Sequence, residues 1–167
     1  MNREMKKGFT LMELMVVVAI TAVIMAIAIP NVVSWRNNQQ LSRAARQVFV
    51  DIQATRMSAV KYNQFAFIQF DTGNGTYVAW RDSPAGAASG VLDPGDDPVI
   101  LRGNMPPGVE MSAAAFSAPN GDTAGFSPMG LCRWPTGAFR SGSVTVTNGV
   151  RDSRIIVNES GSIRTES

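Results

Sequence analysis

Apolar side chains fill one unbroken block, then one stripe of a helical repeat, then scattered positions in short β-prone runs, so the chain changes physical regime twice. From Phe9 to Ile29 there are 21 residues with Glu13 as the only charge. At about 1.5 Å per residue, a helix of that length matches the roughly 30 Å hydrocarbon core of a bilayer. Pro30 follows directly. It has no backbone N–H and crowds the turn before it, which predicts a kink or one loosened turn. Beyond it, Leu41, Ala44, Ala45, Val48, Ile52, Ala59 and Val60 recur at helical spacings, while Asn38, Arg43, Arg46 and Gln47 take other positions. This pattern predicts an amphipathic continuation of the helix to about Tyr62.

After Tyr62, β-prone runs alternate with Gly, Pro, Asn and Asp. Gln64 to Asp71 and Thr76 to Asp82 flank Thr72-Gly73-Asn74-Gly75, the composition of a hairpin turn. Ser143 to Thr147 and Ser153 to Asn158 flank residues 148–152 as a second hairpin. Ser162 to Thr165 reads as a short last strand and Pro98 to Arg102 as a further one. Ser83 to Asp97 and Gly103 to Pro119 are expected to be long solvated loops, the second with a weak strand at Val109 to Met111. The predicted class is α+β: a long N-terminal helix, membrane-spanning in its first half and kinked near Pro30, packed against an antiparallel β-sheet. The segments expected are 1–8, a short basic head; 9–29, the spanning half; 30–62, the amphipathic half; and 63–167, a β-rich body.

Charge and composition narrow the function. The chain has 15 basic and 13 acidic side chains; setting aside Arg3, Lys6, Lys7 and Glu4 of the head leaves 12 of each, so the body is neutral. Lys6 and Lys7 ahead of the apolar run favour a cytoplasmic N-terminus and a body on the far side of the membrane. There is no histidine and only one cysteine, Cys132. That excludes an intrachain disulfide, a Cys/His zinc cluster and the usual serine or cysteine nucleophile paired with histidine. No catalytic role, cofactor or metal is expected. Glu13 is the anomaly: a charged side chain at mid-membrane costs on the order of 2.5 to 3.5 kcal/mol, so it needs a partner.

The junction Lys6-Lys7-Gly8-Phe9-Thr10-Leu11-Met12-Glu13 closely resembles the processing site of type IV prepilins and type II secretion pseudopilins. That resemblance implies a pilin fold, cleavage by prepilin peptidase after Gly8, N-methylation of the new terminal Phe9, and a role for Lys7 in the processing site. The apolar helix would then remain as the assembly element. It also implies that Glu13 meets the N-terminal amine of a neighbouring subunit. Such amines titrate near about 8 and stay cationic on methylation. At about 4 Å and an effective dielectric of roughly 20 the attraction is near 4 kcal/mol, comparable with the insertion cost. Ala124 to Gly130 and Arg154 to Gly161 resemble the C-terminal half of the GspH/FimT (FimU) group of minor pilins and pseudopilins. The partners implied are other pilins in a helical filament, the prepilin peptidase and methyltransferase, and an inner-membrane assembly platform, with the subunit priming or capping the filament.

Other motifs carry less. Ala26-Ile27-Ala28 satisfies a signal-peptidase rule and would release a soluble body, but the apolar run is longer than a usual signal and contains an acid. Some FimT-type minor pilins bind DNA through an arginine-bearing tail. Here Arg154 and Arg164 would be the contacts, yet Arg151, Arg154 and Arg164 are offset by Asp152, Glu159 and Glu166, so nucleic acid is not the expected partner. Asp93, Asp96 and Asp97 lack a complete calcium-loop pattern and read as a solvated acidic turn. Gly73-Asn74-Gly75 is better explained as a turn than as a phosphate loop. Cys132 is expected to be a small buried apolar residue, with an intermolecular disulfide as the alternative.

Overall fold

In a computed structural model the chain divides into two units, Met1–Asn37 and Asn38–Ser167. The structure describes residues 9–83, 89–117 and 121–166, Pro30 by its backbone alone. Helix α1, Leu11–Tyr62, contributes to both units and runs through position 30 without a break. In the first unit the described side chains from Phe9 to Asn37 are all exposed. Thr21 stands among them, but its hydroxyl donates to the carbonyls of Val17 and Val18 at 2.8 and 3.0 Å, so this polar group needs no outside partner.

In the second unit the helix buries Leu41, Ala44, Ala45, Val48, Ile52 and Ala59, as their spacing predicts. Val60 departs from the expectation and is 52% exposed. It follows Ala59 by about 100° round the helix, which turns it off the buried stripe. Two polar residues occupy the stripe instead. The hydroxyl of Thr55 donates to the carbonyl of Asp51, and the Asp51 carboxylate accepts from Tyr77 Oη at 2.5 Å and from Gln47 Nε2 at 3.0 Å.

Among the described residues the unit also has eight strands: β1 Ala66–Asp71, β2 Thr76–Arg81, β3 Val99–Asn104, β4 Glu110–Phe116, β5 Thr123–Phe126, β6 Gly142–Thr147, β7 Asp152–Val157 and β8 Ile163–Glu166. They form two four-stranded antiparallel sheets, ordered β3-β2-β1-β5 and β4-β6-β7-β8, where a single sheet was the simpler expectation. One apolar core joins the helix stripe to both: Ile68, Phe70, Ala79 and Phe126 come from the first sheet, and Met111, Phe116, Val144, Val146, Ile155 and Val157 from the second.

Both expected hairpins form. Asp71 pairs with Thr76, and its carboxylate accepts from the Asn74 side chain at 2.6 Å and from the N–H groups of Gly73 and Asn74. Those bonds, the Asn74 side chain first, hold the Asp71 carboxyl below its usual range. Thr147 pairs with Asp152 across the second turn.

Within the expected loop from Gly103 to Pro119, the weak strand expected at Val109 to Met111 is the start of a longer one, β4, paired to β6 along its length. Its inward residues Met111 and Phe116 are five positions apart, out of step with a period of two. A register shift between Met111 and Ala113 restores the alternation. The Ser83 to Asp97 connection is not simply solvated either. Asp97 is buried, and Leu92 packs on a second apolar cluster of Phe67, Trp80 and Trp134.

The two C-terminal motifs meet. Arg56 Nε donates to the Gly130 carbonyl at 2.8 Å, and Cys132 N donates to the Glu159 carbonyl at 3.0 Å. Gly161, with φ +75°, lies so close that a Cβ would stand 2.0 Å from Gly130 O. Replacing Gly161 by Ala is therefore expected to destabilise the second unit by about 1–3 kcal/mol, read as a lowered thermal midpoint of the full chain in detergent. Cys132 is fully buried, and burial above all pushes its thiol up to about 12. Burial at this position works against an intermolecular disulfide, which needs the thiol at the surface. Maleimide labelling at pH 8 should be slower in the folded than in the denatured chain by at least about a thousandfold.

Candidate assembly site at the start of the helix

The N-terminal turn of α1 is organised by two residues three apart. Thr10 precedes the first helical residue, and its hydroxyl accepts the backbone N–H of Glu13 at 3.2 Å, while its carbonyl accepts from Leu14 N at 3.2 Å. Thr10 is thus the helix cap and Glu13 the third helical residue, the Thr-x-x-Glu arrangement of a capping box. The Thr10 role was legible in that spacing and was missed in favour of the charge.

Phe9 is 86% exposed and stands directly before the cap. Lys7 and Gly8 of the expected processing site lie outside the described residues, as does the side chain of Pro30. From Leu11 onward the helix is long and apolar enough, by length and composition, to cross a membrane. No Lys or Arg occurs between Phe9 and Trp35, so this stretch offers Glu13 no basic side chain as a partner. The arrangement can do one thing well: present a single anion, already oriented by a capped turn, on an otherwise apolar rod.

The remaining candidates do not assemble into a site. Arg154 lies opposite Glu166 in the β7–β8 register, and Arg164 forms an ion pair with the same Glu166 at 3.2 Å, both partners more than half exposed. The two arginines therefore bracket an acid, and the exposed pair itself contributes little to stability. Asp93 and Asp97 spend their carboxylates on backbone N–H groups of Gly95, Ser83 and Asp93. Among the described residues no group of three or more His, Cys, Asp or Glu is placed to hold a metal.

Comparison with known proteins agrees with this geometry. The family described as "Type II transport protein GspH" matches residues 44–161, and the "Prokaryotic N-terminal methylation motif" matches residues 3–29. The type IV major pilin protein PilA of Myxococcus xanthus is 32% identical over 140 residues, covering 78% of this chain and 63% of that protein. The pilin-like protein PilA1 of Thermus thermophilus is 31% identical over 93 residues, covering 55% of this chain and 56% of its own length. The chain thus spans about three-fifths of these curated relatives.

Two solved structures share the fold. The type IV minor pilin FimU of Pseudomonas aeruginosa aligns with a TM-score of 0.54 at 14% identity, over 80% of this chain and 92% of FimU. The minor pseudopilin EpsH of the Vibrio cholerae type 2 secretion system aligns with a TM-score of 0.51 at 10% identity, over 77% of this chain and 97% of EpsH. One long helix on antiparallel sheets is the pilin fold, and with the GspH match running through most of it and the methylation motif ahead of it, the chain belongs to the GspH family of minor pilins and pseudopilins.

Proposed function

We propose that this chain is a low-abundance subunit of a type IV pilus or a type II secretion pseudopilus, a structural protein without chemistry of its own. Before assembly it is held in the inner membrane by the first part of α1, with its N-terminus cytoplasmic and its body on the periplasmic side. Prepilin peptidase cuts after Gly8 and methylates Phe9. The assembly platform then extracts the subunit into a filament, where its body primes or caps the row of repeated subunits. Pro30 supplies a softened turn at the start of the amphipathic half.

The observation that carries this reading is the exposed apolar start of α1 with Glu13 in its first turn. In lipid the bare face is solvated by acyl chains; in a filament the same face is covered by other helices. In both settings Glu13 is the one charged side chain from Phe9 to Trp35, so it sets where along the rod a partner's amine comes to rest. The attraction of about 4 kcal/mol at 4 Å and a dielectric of roughly 20 is enough to select one axial position over the alternatives.

Two measurements test it. Intact mass and N-terminal fragmentation of the membrane-extracted protein should give a chain that begins with methylated Phe9; a mature chain beginning at Ile29 would sink the proposal. Replacing Glu13 by Val should leave the protein in the membrane fraction and correctly cleaved but reduce its recovery in sheared filaments by about tenfold or more, the effect of losing at least ~1.4 kcal/mol. Incorporation equal to that of the unchanged protein would remove Glu13 from assembly.

A further inference from the structure

Three Asn-Gly pairs stand in the chain, at 74–75, 120–121 and 148–149. The first and last lie in the turns of the two hairpins, β1–β2 and β6–β7, and can be compared group by group. The middle pair begins at residue 120, outside the described residues. An asparagine followed by glycine is open to attack on its side-chain amide by the next backbone nitrogen, since glycine puts no side chain beside that nitrogen and leaves the backbone free to bend toward it. What holds the amide and the nitrogen then decides the rate.

At Asn148 every reacting group is held. Its Oδ1 accepts the N–H groups of Val150 and Arg151 at 3.1 and 2.8 Å, and its Nδ2 donates to Asn38 Oδ1 of α1 at 3.1 Å. The attacking nitrogen is held as well, because the Gly149 N–H donates to Thr147 Oγ1 at 3.1 Å. At Asn74 the side chain is exposed and one bond restrains its amide: Nδ2 donates to Asp71 Oδ2 at 2.6 Å. Among the described residues Asn74 Oδ1 accepts no hydrogen bond and the Gly75 N–H donates none. Gly75 is fastened only through its carbonyl, which accepts the Met105 N–H at 2.8 Å.

We propose that Asn74 is a site of spontaneous covalent modification, deamidating through a cyclic imide while Asn148 is protected. The Gly75 nitrogen gives up its proton to hydroxide and bonds to Asn74 Cγ. The Cγ–Nδ2 bond then breaks, and Nδ2 takes a proton from water and leaves as ammonia. Water opens the imide in one of two directions. Breaking the new bond between the Gly75 nitrogen and Cγ gives aspartate in a normal chain; breaking the bond from that nitrogen to the main-chain carbonyl of residue 74 gives isoaspartate, with the backbone routed through the former side chain. The balance is asparagine and water to an aspartyl residue and ammonia, with water as the one co-reactant. Either product removes the Nδ2 donor that clasps Asp71 and puts a new negative charge in the same turn, on a body otherwise of twelve basic and twelve acidic side chains.

The test follows the full chain in detergent micelles at pH 8, with peptides around residues 74 and 148 resolved by mass spectrometry and the two aspartyl products separated by fragmentation. Asn74 should convert at least about tenfold faster than Asn148, because ring closure at Asn148 disturbs three more hydrogen bonds. In the chain denatured by urea the two sites should react at similar rates. Thr147→Val combined with Asn38→Ala, which frees the Gly149 N–H and Asn148 Nδ2, should speed Asn148 and leave Asn74 as it was. The unchanged chain carries the first two readings, so the proposal stays open to refutation even where the double variant fails to fold. An Asn74 that gives neither aspartate nor isoaspartate, an Asn148 that reacts as fast as Asn74 in the folded chain, or one ratio of rates in folded and denatured chain would each overturn it.

Discussion

The buried stripe from Leu41 to Ala59 is the contact on which both sheets depend. Each sheet is small, four strands with one face to cover, and the two apolar faces meet in a cluster completed by the helix. Val48 and Ile52 are fully buried there, and burial of such side chains is worth about 1.5–3 kcal/mol each. Without the helix, Phe70, Val146 and Ile155 would lose part of their cover, and antiparallel sheets of this size are marginal alone. The helix is therefore structural in the second unit for the same reason that its bare beginning can be functional in the first. One stretch of its surface is satisfied within the chain, and the other is not.

What could be read from the sequence follows from how local each signal is. The apolar block, the stripe and both hairpins depend on residues within a turn or a strand of one another, and they stand where periodicity puts them. The capped turn at Thr10 and Glu13 was equally local and could have been read from the same spacing. Strand β4 was anticipated only at its start, as the weak strand from Val109 to Met111, because a register shift hides the alternation of Met111 and Phe116, and β5 was missed because Thr123 to Phe126 gains its strand character from pairing with β1, over fifty residues earlier. The division into two sheets is likewise a property of long-range pairing. Asp51 was illegible for another reason: an acid on a buried stripe makes sense only once Tyr77 and Gln47 are seen to surround it.

The family-like glycines also gain a physical meaning. Gly130 and Gly161 lie about thirty residues apart in sequence, but the chain brings them into backbone contact, with Arg56 of the helix donating to the Gly130 carbonyl. A Cβ on Gly161 would collide with the Gly130 carbonyl, and Gly130 itself sits at φ +75°, where a residue without a side chain is at no disadvantage. The motif marks the point where the segment after β5 and the turn before β8 are fastened to α1.

The two acids of the helix separate structure from recognition. Asp51 is buried and nearly saturated, taking one hydroxyl and one amide from its own chain; burial, then Asp51 itself, raises the Tyr77 hydroxyl well above its usual range, so the proton stays on the phenol and the bond persists across ordinary pH. Glu13 is the reverse case. Its backbone N–H is capped by Thr10, its carboxylate sits on an exposed apolar rod, and the sequence around it offers no cation from Phe9 to Trp35. A carboxylate for which the stretch from Phe9 to Trp35 supplies no lysine or arginine is poorly suited to holding that stretch together. It is well suited to selecting what comes next to it, and an apolar neighbour bearing one positive charge at its end is the simplest object that satisfies both the rod and the acid.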